Sequence, residues 1–204
     1  MNQVSSSQKK PKTERGRKTR NKLLEAAEIE FGEKGFHEAG ISGITYRAGV
    51  ALGTFYTYFE SKEEIFRALV HYMSRRTREW VSQGVAGAPD RLAAERLGIE
   101  AFIEFAREHK SIYRIITEAE FIAPEEYRDH YEGFSRAYQA NLEKAAEHGE
   151  IRAGDFETWS WSIMGIIVFL GMRHAEWDDS RPASEIAEVV TDLIARGIAS
   201  EVKS

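Results

Sequence analysis

The chain has 204 residues, 42% hydrophobic and 30% charged, the make-up of a globular protein with one large domain or two small ones. It has no cysteine, which excludes disulfides, thiolate catalysis and cysteine-type zinc sites and suits a reducing cytoplasm, and no apolar run nears the roughly 20 residues that span a bilayer. The net charge of −5 is uneven: residues 1–22 hold eight Lys/Arg against Glu14 alone, a local +7 that leaves −12 on the remainder, as expected when one end meets phosphate. In chain order, residues 1–17 read as a disordered basic arm, rich in Ser, Lys and Gln, with no apolar core of a signal peptide. Almost everything after Arg17 reads as helix. Pro89, Pro124 and Pro182 fall where apolar periodicity breaks, and no segment alternates as a strand would. The fold expected is all-α, of about nine helices. Leu24, Ala27 and Phe31 recur at helical spacing and stop at Gly32 to Gly35, just before Phe36. Two short pieces, 41–48 and 52–58, flank a Gly49-Val50 break. Ser61 and Glu64 form a capping box that opens a helix through Ile65, Leu69 and Met73 towards Trp80. Longer helices follow at about 91–109, 111–121, 125–148, 156–178 and 184–200.

Two short helices joined by a tight turn, resting on a third, make a helix-turn-helix. Gly49 supplies the tolerant turn position and Val50 an apolar plug. Phe55 and Phe59, four apart, form a buried face with Leu24, Phe31, Ile44 and Ala48. The opposite face then carries Gly53, Thr54, Tyr56, Thr57 and Tyr58, groups able to approach or hydrogen-bond a DNA groove. The tyrosines fit simple core packing as well.

The run from Ala48 to Glu64 resembles the signature of the tetracycline-repressor (TetR) family around its recognition helix. Leu23 to Ala27 and Phe31 to Phe36 resemble that family's first helix. The likeness is detailed over about 18–77 and holds elsewhere only as length and helix count. It implies an 18–77 DNA-binding domain, with the helix-turn-helix at about 40–59, and a ligand-binding and dimerisation domain at 78–204. It further implies close backbone approach at Gly53, phosphate contacts from Tyr56 and Lys62, and groove-facing Thr54, Thr57 and Tyr58. Ser42 and Thr45 match positions of backbone or base-edge contact. Three residues depart from the pattern. Ala51 and Gly40 are weak N-caps, and Leu52 cannot make the bidentate contact to guanine that a basic residue would.

In that family the C-terminal helices hold a small-molecule effector and the last two pair with a second copy. A mostly apolar ligand is expected among Phe102, Phe105, Tyr113, Phe121, Tyr131, Phe134, Trp159 and Met164, with Glu118 (or its neighbour Glu120) fixing a polar end. Ile163, Ile166, Leu170, Val190 and Leu193 are the expected dimer contacts, although an interior helix of a monomer fits the 156–178 pattern too. His109, His130 and His174 are possible polar handles. The partners implied are a near-palindromic double-stranded operator, a second copy of the chain and an unidentified effector; no cofactor, metal or membrane is expected. No P-loop, dinucleotide fingerprint or His-Glu-x-x-His motif points to an enzyme. The alternatives are a helix-turn-helix protein that works through a protein partner, and a constitutive regulator without ligand.

Overall fold

In the computed structural model, which describes residues 13–198, the regular elements are helices: α1 (Glu14–Glu38), α2 (Ile41–Ala48), α3 (Leu52–Tyr58), α4 (Lys62–Gly84), α5 (Arg91–Glu108), α6 (Ser111–Ile122), α7 (Pro124–Glu147), α8 (Phe156–Gly171) and α9 (Ala183–Ile198). A π-helical turn, Met172–Trp177, prolongs α8. The chain divides into two compact units, and the division is not one cut near residue 77. The first unit takes residues up to 73 together with 114–127; the second takes 74–113 and everything from 128.

Local chemistry sets the ends of the first unit's helices. Thr13 Oγ1 accepts the Gly16 N–H at 3.1 Å and caps α1, so residues 14–17 are helix rather than arm; residues 1–12 lie outside the described residues. Gly35 (φ +78°) breaks α1 where the glycine pair predicts a stop. Gly49 (φ +65°) ends α2 in a Schellman motif: Val50 N–H reaches the Thr45 carbonyl and Gly49 N–H that of Tyr46, each at 3.1 Å. At the start of α4, Ser61 Oγ accepts the Glu64 N–H at 3.0 Å. The Glu64 carboxylate reaches back one residue further than in the usual box, to the Glu60 N–H at 2.5 Å. Leu23, Leu24, Phe31, Ile44, Phe55, Phe59, Ile65, Phe66 and Leu69 form the buried interior of this unit. Phe66 stands edge-on to both Phe31 and Phe36 at 5.1 Å, the preferred geometry for aromatic pairs.

The second unit is built on Ile99 and Ile103 of α5, Leu142 of α7, Ile163 of α8, and Ile186, Val190 and Ile194 of α9. This core takes in part of the expected dimer face. Ile163 and Val190 are interior, and Ile166 and Leu170 pack against the same cluster. Of the five residues named, Leu193 alone is outward, 64% exposed. The outward apolar positions are Trp161 and Phe169 on α8 and Val189 and Leu193 on α9, each pair at i, i+4 or i+8 spacing. α8 is apolar on more than one face, so its sequence names the residues that avoid water without saying which of them meet its own core.

Candidate nucleic-acid interface

The outward face of α2 and α3 holds Ser42, Tyr46, Leu52, Gly53, Tyr56 and Thr57; Thr54 and Tyr58 are half-buried at its margin. A Cβ at Gly53 would meet no protein atom within 4 Å, and its backbone is not in the left-handed region, so nothing inside the molecule requires a glycine there. The space it leaves is on the outside. Thr57 Oγ1 leans back to the Gly53 carbonyl at 3.4 Å, but its lone pairs remain in solvent. Neither α2 nor α3 has a side-chain N-cap: Gly40 and Ala51 both take extended backbone with no capping oxygen.

Two of the expected contact residues point elsewhere. Thr45 is buried, its hydroxyl donating to the Ser42 carbonyl at 3.1 Å. Lys62 Nζ donates to the carbonyls of Phe36 (2.7 Å), Ala39 (3.0 Å) and His37 (3.2 Å) and lies 4.6 Å from the Phe36 ring centroid. An ammonium has three N–H groups; here all three close the end of α1. Sequence reasoning missed Tyr46, which is 88% exposed. The signal was available: Tyr46 lies four residues after Ser42, on the same helical face.

Arg47 and Lys34 are also engaged. Arg47 pairs through Nε with Glu30 at 2.7 Å and through Nη2 with Glu33, and Lys34 Nζ meets Glu30 at 2.6 Å. Glu30 is 1% exposed, and burial works to raise its pKa, but the hydrogen bonds from Lys34 and Arg47 outweigh it and hold the carboxyl below its ordinary value. The Arg20 guanidinium lies 5.2 Å from the Phe59 ring centroid. Arg15, Arg17, Lys18 and Lys22 are exposed on α1, with Lys18 paired to Glu14 at the surface.

The residues expected to line a ligand pocket are divided between the two units. Glu118 belongs to the first unit, where its Oε2 accepts the Phe36 N–H at 2.8 Å, and Phe121 in the same unit is 78% exposed. In the second unit, Phe105 is fully buried beside Trp80 and His109, and Met164 is buried. Tyr113 donates to the Val168 carbonyl at 3.0 Å, and burial pushes its hydroxyl well above the usual tyrosine range. Phe102 and the Tyr113 hydroxyl crowd Gly171, where a Cβ would lie 2.7 Å from Phe102 Cε1. Trp159 packs edge-on to Phe156 under Arg152. Phe134 and Tyr131 flank His130, whose Nδ1 lies 2.6 Å from Ser74 Oγ. Burial, and then the Arg78 charge, push His130 down to about 4. Glu95 accepts from the Tyr138 hydroxyl and pairs with Arg91 at 2.8 Å; burial pushes its carboxyl up to about 7 against the pull of Arg91. Among the described residues no group of three or more His, Cys, Asp or Glu could hold a metal ion, and no helix is long and apolar enough to cross a membrane.

Residues 23–69, the span of the reader, match the sequence model described as "Bacterial regulatory proteins, tetR family". Over 185 residues, 88% of this chain and 93% of the relative, the sequence is 31% identical to the uncharacterized HTH-type transcriptional regulator YdgC of Bacillus subtilis. It is 32% identical over 103 residues to the HTH-type transcriptional activator FasR of Mycolicibacterium smegmatis, a match spanning 50% of this chain and 47% of that one. The fold is similar to that of the transcriptional regulator FadR from Bacillus subtilis in complex with stearoyl-CoA, with a TM-score of 0.75, 22% identity, and coverage of 87% of this chain and 98% of the other. A helix-turn-helix with an outward polar face, and likeness to a regulator along nearly its whole length, together place the chain in the tetR family of DNA-binding transcriptional regulators.

Proposed function

We propose that the protein represses transcription as a homodimer on a near-palindromic operator and is released by a ligand with a long apolar chain. One observation carries the DNA-reading part: α2 and α3 present Ser42, Tyr46, Gly53, Tyr56 and Thr57 outward, with a glycine that serves no internal packing need. Gly53 lets the backbone approach the duplex, Tyr56 and Tyr46 reach phosphate, and Ser42, Thr54, Thr57 and Tyr58 face base edges. With Arg47 and Lys62 bonded internally, base reading rests on hydroxyls and on apolar contact with thymine methyls. Phosphate attraction comes from Arg15, Arg17 and Lys22 on α1.

The exposed apolar stripes of α8 and α9 support a second copy as partner, since Trp161, Phe169, Val189 and Leu193 together are a costly surface to leave in water. Half-sites about one helical turn apart follow from two recognition helices entering one side of the duplex. The effector class is supported by the fold's likeness to a regulator in complex with stearoyl-CoA and by the apolar interior of the second unit.

Selection of DNA from a random library, followed by fluorescence anisotropy on the selected duplex, tests the reading. A palindromic consensus bound by a dimer is expected, with stearoyl-CoA lowering the affinity while free coenzyme A and stearate do so weakly. Binding that no acyl-CoA alters would leave a constitutive regulator. No selected consensus at all would leave a helix-turn-helix that acts through a protein partner.

A further inference from the structure

We infer that Arg114 and Glu118, two residues of α6 outside the helix-turn-helix, are positioning residues of the DNA reader. The warrant is the way α1 ends. In a continuous helix the Gly32 carbonyl would accept the Phe36 N–H and the Glu33 carbonyl the His37 N–H. Gly35 leaves helical geometry between them, at φ +78° and ψ 168°. The Phe36 N–H donates to Glu118 Oε2 at 2.8 Å, and Arg114 Nη1 donates to the Gly32 and Glu33 carbonyls at 2.9 and 2.8 Å. A carboxylate and a guanidinium one helical turn apart on α6 thus take up the donor and the acceptors that the break releases. The signs suit the ends they meet, because the carbonyl end of a helix favours a cation.

Gly35 is needed twice over for this arrangement. Its φ lies where L side chains are strained, and a Cβ would come 2.7 Å from Glu118 Oε1. On the other side of the same turn, Lys62 holds the carbonyls of Phe36, His37 and Ala39. Residues 32–39 are therefore fixed by three side chains from α4 and α6, and α2 begins at Ile41, two residues beyond the last of them. The turn that carries α2, and α3 behind it, takes its direction from α6. Without the α6 pair this turn would still form but would sample other directions, and the cost of ordering it would fall on DNA binding instead of on folding.

The inference rests on the DNA-reading role, and its test separates the two. A duplex selected from a random library by the parent protein serves as the probe; failure to select any would sink the DNA-reading role itself. Arg114 is exposed, so Arg114→Ala is expected to fold, as judged by circular dichroism at the assay temperature. Both Arg114→Ala and Glu118→Ala should bind the duplex about tenfold more weakly, the equivalent of one charge-assisted hydrogen bond. Arg114→Lys and Glu118→Gln, which can still donate to the carbonyls and accept the amide, should recover affinity to within about threefold. The dependence of binding on salt should keep the parental slope, since neither residue touches phosphate. Full affinity in folded alanine variants would overturn the assignment. So would a loss that the conservative variants do not repair, or a slope for Arg114→Ala shallower by about 0.9, the mark of a direct phosphate contact.

Discussion

A methyl group on Gly43 puts the joint between α1 and α2 under a calculable load. A Cβ there would lie 2.5 Å from Glu30 Cδ and 2.9 Å from Oε2, and closer still to Oε1. Carbon atoms in contact sit about 3.5–4.0 Å apart, so the carboxylate must retreat by about 1 Å. Its bonds to Arg47 and Lys34, at 2.7 and 2.6 Å, would stretch beyond hydrogen-bonding range. Lys34 is half-exposed on the same helix and can follow, whereas Arg47 is also tied to Glu33 and cannot. The loss is then one charge-assisted bond to a buried carboxylate, about 3 kcal/mol at most. Alanine regains about 1 kcal/mol of helix propensity over glycine. Gly43→Ala should therefore destabilise the chain by about 2 kcal/mol, a fall of about 4–8 °C in melting temperature for this size. In a Glu30→Ala background the same methyl meets no carboxylate and should stabilise by up to about 1 kcal/mol. Thermal melts of the four proteins in this cycle decide the matter. A rise on Gly43→Ala in the parent, or an equal effect in both backgrounds, would refute the reasoning.

Three further outcomes are expected. Lys62→Ala should lower the melting temperature, by the equivalent of about 1–3 kcal/mol for the carbonyls left without a donor, while the slope of log affinity against log salt stays parental; a slope shallower by about 0.9 would return Lys62 to the phosphates. Leu193→Glu should shift the sedimentation coefficient to that of a monomer and leave the fold intact, whereas Ile163→Ala should cost about 2–4 kcal/mol of stability by opening a cavity without changing the assembly state. The last concerns pH. His130, lowered from 6.5 to about 4, contributes stability that is complete above 6.5 and lost as pH falls towards 4. Glu95, raised from 4.5 to about 7, contributes stability complete below 4.5 and lost as pH rises towards 7. Between 4.5 and 6.5 the two slopes, each about 1.4 kcal/mol per pH unit, oppose each other. Urea unfolding across that window should show Glu95→Gln gaining stability with rising pH and His130→Gln losing it; identical slopes in the two variants would exclude the account.

The features legible in the amino-acid sequence are those whose causes lie within a few residues. Ser61 and Glu64 announce the start of α4 because a capping box closes over one turn. Gly49 and Val50 announce the turn between α2 and α3, and Phe55 and Phe59 its buried side, for the same reason. The roles of Lys62 and Glu118 could not be read in this way. Their partners lie 26 and 82 residues away and are chosen by packing, so a charge in a familiar motif and a carboxylate among aromatics suggested ligands that the fold replaces with backbone. Ile163 and Trp161 are both apolar residues of α8; only the placement of α5, α7 and α9 decides that the first is interior and the second exposed.

The first unit is discontinuous, and this bears on how the protein is made. Its helices up to Met73 leave the ribosome before the part of α6 that closes α1, and about forty residues of the other unit, 74–113, come between. At about 5–20 residues per second, some two to nine seconds separate Met73 from Glu118. During that interval the Phe36 amide and the Gly32 and Glu33 carbonyls have only water to bond. A nascent chain halted near residue 100 would lack Arg114 and Glu118, so the turn before α2 is held in one direction only once translation has passed into the second half of the chain.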